Sequence, residues 1–348
     1  MYIKNMNNPS KPKIAIIGAG AVGSLIGGLL ADKGESITLI AKKEHYEAIK
    51  KSGLIIDGDI KALTVRLDAR EKLDFQPDII FICVKTQDLE EACKSIIQYA
   101  AKALIVTFQN GIHSDEIAST VLKTKRIVGA IVLFNAQYYE AGKVIYGAEA
   151  PLVIGDSFNA NPDDMENIKE VLGRSFRIRS AEDLKAARYM KLIVNVLANS
   201  LGALTGQSAY DFMKYRSARK LGACLFRETW RTFKAAEIKT EAIPGYTVEN
   251  FDKLDSLPLF MIASILGKRS RKSRFSKTVA STPQSLKRGK TSEVEAINGE
   301  IVRLAESAGK QAFFNQKVID CCRRIEKTGS FMSARDIRKE FFGGKGEM

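Results

Sequence analysis

The apolar run Lys13-Ile14-Ala15-Ile16-Ile17 breaks into Gly18-Ala19-Gly20-Ala21-Val22-Gly23 and continues as a helix-like stretch from Ser24 to Lys33. A strand that passes through G-x-G-x-x-G into a helix points to the first turn of a dinucleotide-binding unit. Gly18 permits the tight turn, Gly20 lets the backbone approach a pyrophosphate, and Gly23 lets helix and strand pack closely. With Ala21 and Val22 they form the opening turn of a helix whose N-terminus would hold phosphate. A second apolar run, Ser36 to Ala41, arrives where the next strand should be.

The tip of that second strand bears on the cofactor. An acidic residue there commonly accepts the ribose 2′-hydroxyl of NAD, whereas a cation accommodates the 2′-phosphate of NADP. The chain reads Leu39-Ile40-Ala41-Lys42-Lys43, with two ammonium groups and no carboxylate. NADPH (NADP+) is therefore the expected cofactor, unless both lysines are only solvated surface charge.

At 348 residues, 45% hydrophobic and 27% charged, the chain has room for two domains with proper cores. No apolar run reaches the length of a membrane span, and Met1 to Pro12 lacks the hydrophobic region of a secretory signal, so a cytoplasmic protein is expected. The odd set Cys83, Cys93, Cys224, Cys321 and Cys322 has no C-x-x-C spacing, which argues against a disulfide framework and against a zinc site. These read as buried thiols, with Cys83 inside a strand. His45 and His113 fall outside any catalytic motif, so proton transfer should rest on another residue type.

Part of the net charge of +14 is concentrated in Lys268-Arg269-Ser270-Arg271-Lys272-Ser273-Arg274, followed by Lys277, Lys287, Arg288 and Lys290. Such a tract is expected as a solvated loop. No zinc finger, RNP-like aromatic pattern or recognition helix accompanies it, so attraction of anionic small molecules is favoured over nucleic-acid binding.

Between residue 13 and about 155, apolar runs at Asp78–Val84, Ala103–Thr107, Arg126–Phe134 and Leu152–Gly155 alternate with helical segments, which predicts parallel strands in a doubly wound α/β sheet. Helical periodicity then dominates over Ser180–Thr205, Ser217–Ala236, Val294–Ala308 and Asn315–Lys327. The expected division is a Rossmann-type domain over 1–180 and an all-α domain over 181–348 that binds substrate and can supply a dimer interface. Glu241 to Pro283 reads as one or two helices with long loops.

Within Met190 to Asn199, Lys191, Asn195 and Asn199 recur four residues apart among aliphatics, which places them on nearly one helix face. An ammonium and two amides in so apolar a helix need partners: a substrate carboxylate or carbonyl, or polar groups of neighbouring helices. Lys85 and Gln109-Asn110-Gly111 follow predicted strands at the edge where open α/β sheets bind ligands, although Asn-Gly is also a common turn dipeptide. Glu293 opens a predicted helix, where the dipole alone would favour it.

Together these segments resemble the ketopantoate reductase family, NADPH-dependent 2-dehydropantoate 2-reductases, over nearly the whole chain. Ile16 to Gly23 matches I-x-G-x-G-A-V-G, Val84-Lys85-Thr86-Gln87-Asp88 is similar to V-K-T-x-Q, and Gln109 to Gly111 gives Q-N-G. Lys191, Asn195 and Asn199 fall on K-x-x-x-N-x-x-x-N, and Ser292 to Gly299 resembles T-E-I-D-x-x-N-G. The resemblance implies a Rossmann domain followed by a helical domain like the C-terminal part of 6-phosphogluconate dehydrogenase. It implies Lys191 as the general acid and Glu293 as the binder of a substrate hydroxyl that also orients that lysine. Asn195, Asn199 and Ser281 would hold the 2-oxo acid, Asn110 would lie between nicotinamide and substrate, and Lys85 would approach the cofactor or the substrate side.

The chain departs from the family at two places. Ser285 stands where S-x-x-x-D, begun by Ser281, expects aspartate, and Gly309 to Asn315 has Phe313 where G-x-x-x-P-x-N expects proline. With the basic segment 241–277, these changes are expected around the substrate pocket and its lid. They leave open a related hydroxyacid dehydrogenase, or a protein that binds NADP(H) or RNA without turnover.

Overall fold

A strand buried on both faces need not alternate polar and apolar side chains, and β1 (Lys13–Ile17) is buried from Ile14 to Ile17. In the computed structural model, which describes residues 11–158, 161–272, 279–289 and 291–343, it lies inside an eight-stranded sheet. The first half continues through α1 (Ala21–Asp32), β2 (Ser36–Ile40), α2 (Lys43–Ser52), β3 (Leu54–Gly58), β4 (Leu63–Val65), β5 (Asp68–Arg70) and β6 (Ile79–Ile82). Then follow α3 (Leu89–Ala100), β7 (Leu104–Thr107), α4 (Ser114–Leu122), β8 (Ile127–Val132), β9 (Asn135–Glu140), β10 (Lys143–Ala148), β11 (Leu152–Asp156), α5 (Pro162–Gly173) and β12 (Ile178–Ser180).

The large sheet has the order β12-β11-β8-β7-β6-β1-β2-β5, parallel from β8 to β5. The chain winds outward from β1 through β2 to β5, then returns across β1 to β6, β7 and β8. Strand order therefore reverses between β1 and β6, the position at which a doubly wound sheet opens its ligand crevice.

Two features depart from a single parallel sheet. Strand β11 runs antiparallel to β8, with β12 parallel to it at the edge. A separate four-stranded sheet, β4-β3-β10-β9, forms from short or polar segments whose alternation is weak, Asn135–Glu140 above all. Helix α1 fits between the two sheets through adjacent glycines. A Cβ on Gly27 would strike Leu39 and Ile16 of the large sheet, and one on Gly28 would strike Ile56 and Leu54 of the small one.

The second half is helical: α6 (Leu184–Thr205), α7 (Ala209–Phe212), α8 (Arg216–Ala235), α9 (Val248–Asp255), α10 (Leu259–Lys272), α11 (Ser281–Lys287), α12 (Val294–Ser307), α13 (Phe313–Thr328) and α14 (Ala334–Phe342). Asp183 caps α6 by accepting the Ala186 N–H at 2.9 Å, and Gly206, at φ +66°, ends it. Leu192, Ile193, Val196, Leu201 and Leu204 of α6 pack in one core with Phe226 and Phe233 of α8. Burial on most sides explains why α6 is apolar almost all round.

The basic tract is not a loop at its start. Lys268, Arg269, Arg271 and Lys272 lie within α10, Lys287 ends α11, and Arg288 caps it. Ser273, Arg274, Lys277 and Lys290 lie outside the described residues. All five cysteines are free thiols. Cys83 lies just past the end of β6, half-buried, while the other four are buried. No helix among the described residues is long and apolar enough to cross a membrane.

Candidate active site

The turn after β1 is shaped by its glycines. Gly18 adopts φ +93°, and a Cβ there would lie 2.6 Å from a Val84 methyl and 2.8 Å from the Val84 amide nitrogen. A Cβ on Gly23 would lie 2.4 Å from the Gly18 carbonyl oxygen, whereas nothing stands within 4 Å of one on Gly20. The turn is closed toward the sheet and open at its middle glycine. Gly20 caps α1 without a side chain, and no acidic residue occupies the first helical turn. The N–H groups at that turn lack intrahelical acceptors, which makes a cradle for an anion.

The same turn is tied to the tip of β2, because the Gly18 and Ala19 N–H groups both donate to the Ile40 carbonyl, at 3.2 and 3.0 Å. Exposed Lys42 and Lys43 therefore stand beside the cradle, Lys42 as the N-cap of α2 and Lys43 as its first residue. Backbone amides, an open glycine and adjacent ammonium groups fit a dinucleotide phosphate.

Across the crevice, α6 presents Lys191 to a small cavity lined by Gln109, Asn110, Ile131, Arg188 and Asn195. The side-chain amide of Gln109 donates to the Ile82 and Val84 carbonyls at 2.8 and 3.0 Å, which locks the loop after β7 onto the end of β6. Asn110 is held from both sides: its backbone carbonyl accepts the Thr86 hydroxyl at 2.8 Å, and its Oδ1 accepts the Asn195 amide at 3.2 Å. Buried Glu293, the N-cap of α12, brings Oε1 to 3.4 Å from the Thr86 hydroxyl. Glu293, Thr86, Asn110 and Asn195 thus form one polar file from four parts of the chain. Lys191 lies one helical turn from its end.

Lys191 makes no ion pair or hydrogen bond with Glu293. Burial in the cleft wall lowers its pKa from 10.5 to about 8, because desolvation penalises the charged form. Such an ammonium is still largely protonated at neutral pH but gives up its proton more readily than a surface lysine.

Asn199 and Ser281 meet, but in a supporting role. The Asn199 Oδ1 accepts the Ser281 hydroxyl and the Thr282 N–H, both at 3.2 Å, and so fixes the start of α11. Ser285, fully buried one turn later, accepts a hydrogen bond from the Lys85 ammonium. The position where the family expects aspartate therefore bridges the two halves as a hydroxyl. Phe313 does something else: it is the exposed first residue of α13, in contact with Phe314 and Lys317. That is a position where proline is tolerated because its missing N–H would have no helical acceptor.

Several site residues carry no motif. Buried Arg188 pairs with Asp115 of α4 at 2.8 Å and donates to the Ser114 hydroxyl at 2.7 Å, while Thr107 and Ser157 also donate to Asp115. Like Lys191, Arg188 is a cation inside an apolar helix, three residues earlier, and carries the same sequence signal. Thr86 and Gln109 lie within the V-K-T and Q-N-G segments, but their hydrogen bonds depend on which loops the sheet brings together.

With this geometry in place, two family models match the chain. "Ketopantoate reductase PanE/ApbA" covers residues 14–158, and "Ketopantoate reductase PanE/ApbA C terminal" covers 183–326. The chain belongs to the ketopantoate reductase family. A 2-dehydropantoate 2-reductase of Pyrococcus horikoshii is 29% identical over 305 residues, 87% of this chain and 94% of that protein. One of Archaeoglobus fulgidus is 24% identical over 90% of this chain and 98% of its own. Among solved structures, a ketopantoate reductase from Ralstonia eutropha JMP134 superposes with a TM-score of 0.74 at 24% identity, over 90% of this chain and 98% of that one. D-mandelate dehydrogenase with NADH and anilino(oxo)acetate superposes at 0.78 with 20% identity, over 91% and 99%. These structures share the fold of the ketopantoate reductases described above.

Proposed function

We propose that this chain reduces 2-dehydropantoate to pantoate with NADPH, as a step toward pantothenate and coenzyme A. The observation that carries the reading is Lys191, a cation of lowered pKa facing the crevice between a phosphate-shaped turn and a file of amides. It is supported by family membership and by the named activity of the relatives.

The residues divide the work across the cleft, with a Rossmann unit up to residue 180 and a helical unit from 181. The amides of Ala21, Val22 and Gly23 and the open face at Gly20 receive the pyrophosphate, and Lys42 and Lys43 neutralise a 2′-phosphate. A dinucleotide held there would supply the hydride that the carbonyl carbon accepts. Lys191 gives its Nζ proton to the carbonyl oxygen and, while charged, stabilises the negative charge developing there; solvent then returns the proton to the amine. Asn110 and Asn195, already bonded to each other, orient the carbonyl end of the substrate. Glu293 accepts the substrate hydroxyl, and Asn199 with Ser281 supports α11 as the wall on that side. Lys85, held by Ser285, approaches the cofactor or the substrate side of the cleft in this reading.

A second reading, favoured by Ser285 in place of an aspartate, keeps this chemistry and changes the 2-oxo acid. Both are tested by following NADPH absorbance with 2-dehydropantoate beside a panel of other 2-oxo acids. Fastest turnover on 2-dehydropantoate supports the first reading, fastest turnover on another acid supports the second, and turnover on none contradicts both.

A further inference from the structure

His45 belongs to no motif, yet it lies buried between three elements at the cofactor edge. Its Nδ1 is 2.9 Å from the Gly142 amide at the β9–β10 turn, and its Nε2 is 2.9 Å from the Ser24 hydroxyl of α1. Ser24 Oγ is in turn 3.1 Å from the Ala19 carbonyl, inside the glycine turn. The proton positions follow by elimination. The Gly142 N–H can only donate, so Nδ1 accepts and Nε2 carries the hydrogen. The Ala19 carbonyl can only accept, so Ser24 spends its own hydrogen there and accepts from His45.

The ring is therefore a neutral imidazole in one tautomer, and the Tyr138 ring stands edge-on to it with centroids 4.9 Å apart. Burial agrees with that state, lowering the pKa to about 4. His45 also lies in the first turn of α2, two residues after Lys43. One side chain thus registers the lysine-bearing helix start, the glycine turn and the small sheet against one another.

We propose that His45 is a positioning residue for the cofactor, a neutral strut that holds the Gly18–Gly23 turn in its phosphate-receiving shape and fixes Lys42 and Lys43 beside it. This rests on the reading of the turn as a dinucleotide site. The test compares wild-type protein with His45→Phe, His45→Gln and Ser24→Ala. Equilibrium NADPH binding is followed by fluorescence titration, and amide hydrogen exchange is measured on the proteins without cofactor.

Loss of one buried hydrogen-bond link should raise the NADPH Kd about tenfold in His45→Phe and Ser24→Ala. Glutamine, with an NH2 donor group and a carbonyl acceptor, should restore most of that affinity. The kcat at saturating NADPH should stay near the wild-type value, and exchange should quicken across Gly18–Gly23 while that of β7 does not change. Unchanged NADPH affinity together with unchanged exchange across the turn would overturn the proposal, as would loss confined to kcat. Ser24→Ala removes the same link without touching the ring, so the question stays decidable if His45→Phe does not fold. A wild-type protein that binds no NADPH would overturn the dinucleotide reading instead, and exchange across the turn would still decide the strut.

Discussion

The two sides of the crevice are built on opposite plans. On the proposed cofactor side, the turn, the helix start and the lysines all fall between Gly18 and His45, and the groups offered to a ligand are mainly backbone amides. On the proposed substrate side, Lys85, Asn110, Lys191 and Glu293 come from separate loops and helices and would meet a ligand with side chains. A phosphate can be held by local backbone geometry, which a short motif encodes. A 2-oxo acid needs differently placed donors and one acid, and these converge only once two domains pack.

The comparison can be broken most severely at Lys191. Lys191→Ala should lower kcat/KM by about two to four orders of magnitude, as expected for loss of a positioned acid, with NADPH affinity nearly unchanged. Parallel loss of both, by steady-state kinetics and titration, would mean the two sides are not separable. Next comes the buried pair behind the site: Arg188→Ala leaves Asp115 without its cation and should cost about 3 kcal/mol of stability by denaturant unfolding. Gly23→Ala should introduce about 1–3 kcal/mol of strain against the Gly18 carbonyl and weaken NADPH binding by tenfold or more. The smallest effect is expected from replacing Lys42 and Lys43 together by alanine. This should raise the NADPH Michaelis constant about tenfold, the equivalent of roughly one charge-assisted contact, while leaving that for NADH nearly fixed. Equal effects on the two cofactors would remove the lysines from 2′-phosphate recognition.

Legibility in the sequence followed the same division. The order strand, glycine turn, helix was readable because each step is local, and α6 was readable because its length and periodicity leave one interpretation, with only its first residues misplaced before the Asp183 cap. The small sheet was not, because β9 and β10 are half-polar strands and the pair is joined to the sheet through β10 on β3, far away in the chain. Lys191 stood out as a cation among aliphatics. Arg188 carries the same signal, whereas His45 and Ser24 do not, since what marks them is a buried partner on another element. The bond between Lys85 and Ser285 spans the two halves and could not be read from either segment alone.

The most direct test of the central claim is the pH dependence of kcat/KM for 2-dehydropantoate reduction at saturating NADPH, measured for wild-type protein and for Lys191→Arg. The acid must hold its proton to act, and burial places the Lys191 pKa at about 8, so wild-type activity should be level near neutrality and fall as pH rises through about 8. Arginine, which stays protonated far above that range, should abolish the alkaline limb along with most of the activity. A wild-type profile that stays flat to pH 10, or an unchanged limb in the arginine variant, would contradict Lys191 as the proton donor.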